Sequence, residues 1–281
     1  MPVSKPLRTV LRILRTAAAT YIVVAVLVYV FQRRLQYLPS RNPVPIPGDA
    51  ARRGLEEFAA VAKDGARLLG WYWPGTKAID IMILHGNAGN RGDRIEWLED
   101  LRELGYGLCI VDYRGYGGSE GTPTEEGLYR DAEAAREWLR RRSGAPVVYY
   151  GESIGTAVAV ELALREPAAA LVLQSAFTSA ADVGQRVYPF LPVRLLLKDR
   201  YDALARIGKV RAPILFIHGD RDSIIPLRFG RALFDAAPEP KEWLEVQGAD
   251  HNDLPWVGGA AYRMAVGEFV RRRVEDATGR R

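Results

Sequence analysis

The sequence predicts an α/β protein: a doubly wound, mostly parallel sheet with a short lid, preceded by a transmembrane helix. Three observations predict the sheet. Short runs that are apolar throughout recur at 80–86 (DIMILHG), 107–113 (GLCIVDY), 146–151 (PVVYYG), 170–177 (ALVLQSAF) and 212–219 (APILFIHG). Such runs suit parallel strands covered on both faces. Helical patterns lie between them, at 91–104, 124–142, 155–166 and 226–237, and strand–helix alternation implies right-handed crossovers. Finally, each motif rich in Gly, Ser, Asp or His falls at the C-terminal end of a strand, the edge where such sheets bind ligands.

The N-terminal element comes first. Between Arg15 and Arg33 lies TAAATYIVVAVLVYVFQ, without a single charge. As a helix it is roughly 26 Å long at about 1.5 Å per residue, a little short of a ~30 Å hydrocarbon core. Snorkelling of Arg15, Arg33 and Arg34 closes the gap, and Tyr21, Tyr29, Phe31 and Tyr37 suit the interface. A cleaved signal peptide needs a small-x-small site, and FQRRLQYLPS offers none. The expected division is a basic segment over 1–15, an anchor over 16–32 and a Pro-rich linker over 33–54. Within the linker PSRNPVPIPG carries four prolines and reads as an extended spacer holding anchor and body apart. Basic residues flank the span on both sides, so charge assigns no orientation.

The body is expected over 55–277, with one or two antiparallel strands within 55–74 ahead of the parallel ones. The net charge of +5 belongs elsewhere. Residues 1–53 hold nine Lys/Arg and one acid, Asp49, whereas the remaining 228 carry 30 Lys/Arg against 33 Asp/Glu. A nucleic-acid groove needs a basic body, so no nucleic-acid partner is expected. The lone Cys109, within an apolar run, reads as a buried small hydrophobe. No Cys or His cluster has metal-ligand spacing, and neither metal nor cofactor is expected.

The chemistry centres on Gly151-Glu152-Ser153-Ile154-Gly155, between an apolar strand and a helix rich in small residues. That is the setting of a nucleophile elbow, in which the serine takes a strained turn and the glycines allow strand and helix to approach closely. Glu152 reads as structural. Of three histidines, His85 ends a strand inside HGNAGN, and His218 ends another as a packing or turn residue. His251 lies in a loop after the apolar run Trp243–Val246, where this topology places a base. The base needs a carboxylate, and APILFIHG runs into Asp220-Arg221-Asp222; spacing does not choose between Asp220 and Asp222. Asp250, adjacent to the histidine, reads as a loop hydrogen-bonder, and Asp112 as a brace for RGYGGSEG at 114–121. In HGNAGN small residues let backbone N–H groups approach a carbonyl oxygen. The N–H groups of Asn87 and Ile154 are the expected oxyanion donors.

Taken together, HGNAGN, DYRGYGGSEG, GESIGTAVA, HGDRDSIIP and GADHND resemble the α/β-hydrolase superfamily, and within it the membrane-anchored, bud-emergence-type branch. The resemblance covers about residues 55–270. It implies Ser153 as nucleophile, His251 as base and Asp222, rather than Asp220, as the acid in H-G-x-x-D-x-x-[IV]-P. The N-terminal span also fits that branch, whose substrates are diverse. Relatives insert a lid at 178–209, short here, and its apolar stretches 187–193 and 195–197 either line an acyl pocket, graze a bilayer or simply close a small cap.

The expected protein is a single-pass membrane serine hydrolase acting on carboxylic esters or thioesters, of small molecules, lipids or acylated proteins, through an acyl-enzyme. An amidase or peptidase shares the same residues, and a non-catalytic membrane-tethered binding protein shares the same fold. Oligomeric state is not readable from the sequence.

Overall fold

The computed structural model describes residues 5–278; residues 1–4 of the basic segment lie outside them. Helix α1 (Lys5–Gln36) is one rod of 32 residues, longer than the span expected within it. Arg33, Arg34 and Gln36 are good helix formers, and the helix ends only ahead of Pro39, which disfavours helical backbone at Leu38. Its most apolar window has a mean hydropathy of 2.0 and is unburied. Among the described residues it is the one helix long and apolar enough to cross a membrane.

The linker does not hold anchor and body apart as its prolines led one to expect. It lies on the body, because the residues between the prolines keep their backbone donors and every residue keeps its carbonyl. Leu38–Pro39 (β1) pairs in parallel with Ala88–Gly89. The N–H groups of Leu38 and Ser40 donate to the carbonyls of Asn87 and Gly89 at 2.9 and 3.0 Å. Those of Gly117 and Gly118 donate to Ser40 and Arg41 at 2.8 and 3.0 Å. A short helix, α2 (Gly48–Arg52), then buries Ala50.

The body follows with β2 (Glu56–Val61), β3 (Arg67–Trp73), β4 (Asp80–Leu84), β5 (Ala88–Gly89), a 3-10 turn at Arg91–Arg94, α3 (Ile95–Arg102) and β6 (Gly107–Val111). Next come α4 (Glu125–Arg142), β7 (Val147–Glu152), α5 (Ile154–Arg165) and β8 (Ala170–Gln174). The cap carries α6 (Ala180–Val187), α7 (Val193–Leu196) and α8 (Leu204–Ile207). The chain then forms β9 (Ile214–Gly219), α9 (Leu227–Ala236), β10 (Lys241–Val246) and α10 (Leu254–Val270). Thr124 caps α4 by accepting the Gly127 N–H at 3.0 Å.

Eight strands form the main sheet in the order β10-β9-β8-β7-β4-β6-β3-β2. β3 is antiparallel to both its neighbours, and all other pairings are parallel. The chain leaves β4 toward β6 on one side and returns as β7 on the other, so strand order reverses at β4, and this is where a crevice opens. Successive residues of β8 feed opposite cores. Leu171 and Leu173 pack beneath α4, α5 and α9, while Ala170 and Val172 pack beneath α3 and α10. The strands are shorter than the apolar runs that announced them. His85-Gly86, Asp112-Tyr113 and Ser175-Ala176-Phe177 leave the ladder and carry the motifs onto the sheet edge.

Candidate active site

Ser153 sits between β7 and α5 with φ 53° and ψ −118°, a conformation that costs an L-residue about 1–3 kcal/mol. The neighbouring backbone enforces it. The Ser153 N–H donates to Gln174 O at 2.9 Å, and the Thr156 hydroxyl donates to Ser153 O at 2.6 Å. A Cβ on Gly155 would collide with the Leu84 carbonyl, and one on Gly151 with the Gly155–Thr156 backbone. Only glycine permits α5 to start so close to β4 and β7.

The loop after β10 brings His251 to this serine. Its Nε2 lies 3.1 Å from Ser153 Oγ, and its Nδ1 lies 2.8 Å from Asp222 Oδ2. Asp222 follows β9, and its Oδ1 accepts the N–H groups of Ile224 and Ile225 at 3.1 and 2.7 Å. Burial pushes the Asp222 carboxyl up, but its hydrogen bond to His251 and the charge of His251, with the Ile225 N–H and His218, outweigh burial and hold it below the usual carboxylate range. An ionised Asp222 fixes the imidazole proton on Nδ1 and leaves Nε2 free to accept the serine proton.

The other acids lie elsewhere. Asp220 accepts the Gly248 N–H at 2.6 Å and braces the loop ahead of His251. Asp250 accepts the N–H groups of Ser223 and His251, each at 2.7 Å, and so ties the Asp222 turn to the His251 loop. His218 donates to or accepts from nothing on Ser153; its Nε2–H reaches Ile225 O at 2.8 Å and holds the turn beyond Asp222. Burial lowers its pKa, keeping it neutral.

Asn87 and Ile154 line the same cavity as Ser153 and His251. No acceptor among the described residues takes the backbone N–H of either. Ile154 opens α5, so its N–H is one of the free donors of a helix N-terminus. The Asn87 carbonyl is held by Leu38 N–H and by the Tyr116 hydroxyl at 2.8 Å, and its side-chain amide donates to Gln36 O at 2.8 Å. The loop is thus fixed from both sides while its N–H stays free.

Two arginines escaped sequence reasoning. Arg91 is fully buried and pairs through Nη1 with Asp112, donating also to Gly117 O at 2.9 Å, Val44 O at 3.0 Å and Glu57 at 2.9 Å. Asp112 therefore braces RGYGGSEG through Arg91, and directly only through its own carbonyl, which accepts Ser119 Oγ at 2.9 Å. Arg94 forms a two-pronged pair with Glu152, at 3.0 and 3.1 Å, beside the Ser153 turn. Burial raises the Glu152 pKa, and the charge and hydrogen bonds of Arg94 reverse the shift and keep it ionised. An arginine in a polar loop ordinarily faces solvent, so no sequence signal marked either one.

A cavity of about 450 Å³ opens beside Ser153, within the range of small-molecule sites. Apolar side chains of the cap, among them Val183, Val187 and Leu197, line one side of it, with Phe177 just ahead of the cap. Among the described residues no group of three or more His, Cys, Asp or Glu is placed to hold a metal ion.

A serine on a strained strand–helix turn at the switch point of an eight-stranded, mostly parallel sheet defines the class of α/β-hydrolases. The family model described as alpha/beta hydrolase fold matches residues 81–206, and the chain belongs to the α/β-hydrolase superfamily. It is 44% identical over 245 residues to an uncharacterized protein of Mycobacterium tuberculosis, covering 85% of this chain and 87% of that one. It is also 38% identical over 186 residues to alpha/beta hydrolase domain-containing protein 17B of Homo sapiens, covering 63% of this chain and 62% of that protein. Its fold is similar to that of an esterase of Pyrococcus furiosus, with a TM-score of 0.70 at 19% identity over 85% of this chain and 98% of that one.

Proposed function

We propose that the protein is a membrane-anchored serine hydrolase that cleaves carboxylic esters or thioesters carrying an apolar acyl group. The observation that carries this reading is the unbroken chain Asp222–His251–Ser153, its links 2.8 and 3.1 Å, ending on a strained turn at the mouth of an apolar cavity. Ser153 Oγ attacks the carbonyl carbon while His251 Nε2 takes the hydroxyl proton. Asp222 stabilises the imidazolium that results. The developing oxyanion is received by the N–H groups of Asn87 and Ile154, each worth about 3 kcal/mol in the transition state. His251 then protonates the departing alcohol or thiol. Water, deprotonated by the same imidazole, releases the acid and restores the serine.

The cap lining supports an apolar acyl group, since its side chains gain by removing such a chain from water. The length and hydropathy of α1 support attachment to a bilayer. Labelling with a fluorophosphonate tests the chemistry: the wild type is expected to react and Ser153→Ala is not. Equal labelling of both overturns the assignment. Alkaline carbonate extraction tests attachment, and release of the protein to the supernatant overturns that part.

A further inference from the structure

Helix α1 does more than reach the membrane. The cavity beside Ser153 has two apolar sides, one from the cap and the other from α1, which contributes Val28, Gln32 and Leu35. The burial of α1 is periodic. Ala25, Val28, Gln32 and Gln36 are shielded while the residues between them are exposed, and this spacing is one face of a helix. That face is fastened to the cap by polar contacts. Gln32 donates through Nε2 to Leu196 O at 3.3 Å and accepts the Lys198 N–H at 2.7 Å. Arg33 forms two hydrogen bonds to Asp199, at 2.7 and 3.1 Å. Gln36 donates to Asp199 O at 2.9 Å, and nearer the other end the Tyr21 hydroxyl donates to Phe190 O at 2.9 Å.

Gln32 is the telling residue. A side-chain amide in an otherwise apolar helix is expensive against hydrocarbon, yet here its oxygen is satisfied by cap backbone, its nitrogen is shared between Leu196 O of the cap and Tyr29 O of α1, and it is 6% exposed. The stretch from Tyr21 to Gln36, about 22 Å along the axis, therefore runs beside the cap. Phe190, whose carbonyl takes the Tyr21 hydroxyl, is itself an exposed apolar residue of the cap.

Resting on the reading of Ser153 as nucleophile, we infer that α1 is a wall of the acyl-binding site and that Val28 sets how long an acyl chain the site accepts. The carbonyl lies at Ser153, and the chain runs between the cap and α1 toward Val28. Enlarging Val28 shortens the groove from its far end and leaves the reacting end untouched.

The test uses full-length protein in detergent micelles and p-nitrophenyl esters from butyrate to palmitate. Val28→Trp is expected to lower kcat/KM for palmitate about tenfold or more relative to butyrate. Val28→Ala shifts preference the opposite way. Val26→Trp, on the exposed face of the same helix, leaves the chain-length profile as in the wild type. An unchanged profile in both Val28 variants overturns the inference, as does the same shift in Val26→Trp, which marks a dislodged helix rather than a filled groove. Absence of labelling in the wild type instead overturns the reading of Ser153, so the two failures are distinct.

Discussion

Arg91 and Asp112 face each other inside the protein with no exposure at either side chain. Arg91 opens the 3-10 turn that follows HGNAGN, and Asp112 leaves the end of β6, so the pair joins the loop bearing Asn87 to the neighbouring strand. Removing one partner of a buried pair strands the other charge and costs about 3–5 kcal/mol. Arg91→Met is therefore expected to lower the urea-unfolding free energy by that amount. A loss below about 1 kcal/mol shows that water reaches Asp112 and that the pair is not the brace described.

Ser153 is held at positive φ against its own preference. Ser153→Gly removes both the nucleophile and the strain, so hydrolysis ceases while stability rises by about 1 kcal/mol. Thermal unfolding beside an esterase assay reads both effects. A variant less stable than the wild type contradicts a stored strain at this turn.

Asp220 and Asp222 are two residues apart and do different things. Asp222→Ala leaves the His251 imidazole without the acceptor that orients it, and turnover of a p-nitrophenyl ester is expected to fall roughly 10⁴-fold. Asp220→Ala loosens the Gly248 N–H and leaves turnover near that of the wild type. The reverse ranking reassigns the acid.

Asp64 links Arg114 and Arg130 at the protein surface, through bonds of 2.9 to 3.1 Å. The hydrogen bond from Arg114, with that from Arg130, lowers its pKa to about 2, against about 3.9 in an unfolded chain. A folded pKa below the unfolded one adds stability that is complete above the unfolded value and lost as pH falls through the folded one. The stability gap between the wild type and Asp64→Asn is thus expected to be constant above about pH 4 and to close toward pH 2. Chemical denaturation across that interval checks it, and a gap that widens on acidification has the wrong sign.

The parts of this fold that were readable are those written in side-chain pattern. Buried parallel strands must be apolar on both faces, so β4, β6, β7, β8 and β9 announce themselves. The elbow at Ser153 is readable because a strained turn squeezed between β4 and β7 demands Gly151 and Gly155. Structure made from backbone is silent in sequence. The pairing of Leu38–Pro39 with Ala88–Gly89 uses only main-chain groups, and the prolines from Pro39 to Pro47 argue for an extended spacer. The choice between Asp220 and Asp222 depends on where the chain turns after β9, which the spacing of two acids two residues apart does not encode. Arg91, Arg94 and Gln32 were hidden for another reason. Each is a polar residue whose partners come from distant segments, and only the assembled chain shows that it is enclosed.

The short β1–β5 ladder makes the foot of α1 and the loop holding Asn87 one continuous piece, for the carbonyl that Leu38 grips belongs to Asn87 itself. About one turn earlier the same rod is bolted to Asp199 of the cap through Arg33 and Gln36. Cap, rod and loop are thus tied at neighbouring points, and a change of packing at any one of them is carried along the main chain to the other two.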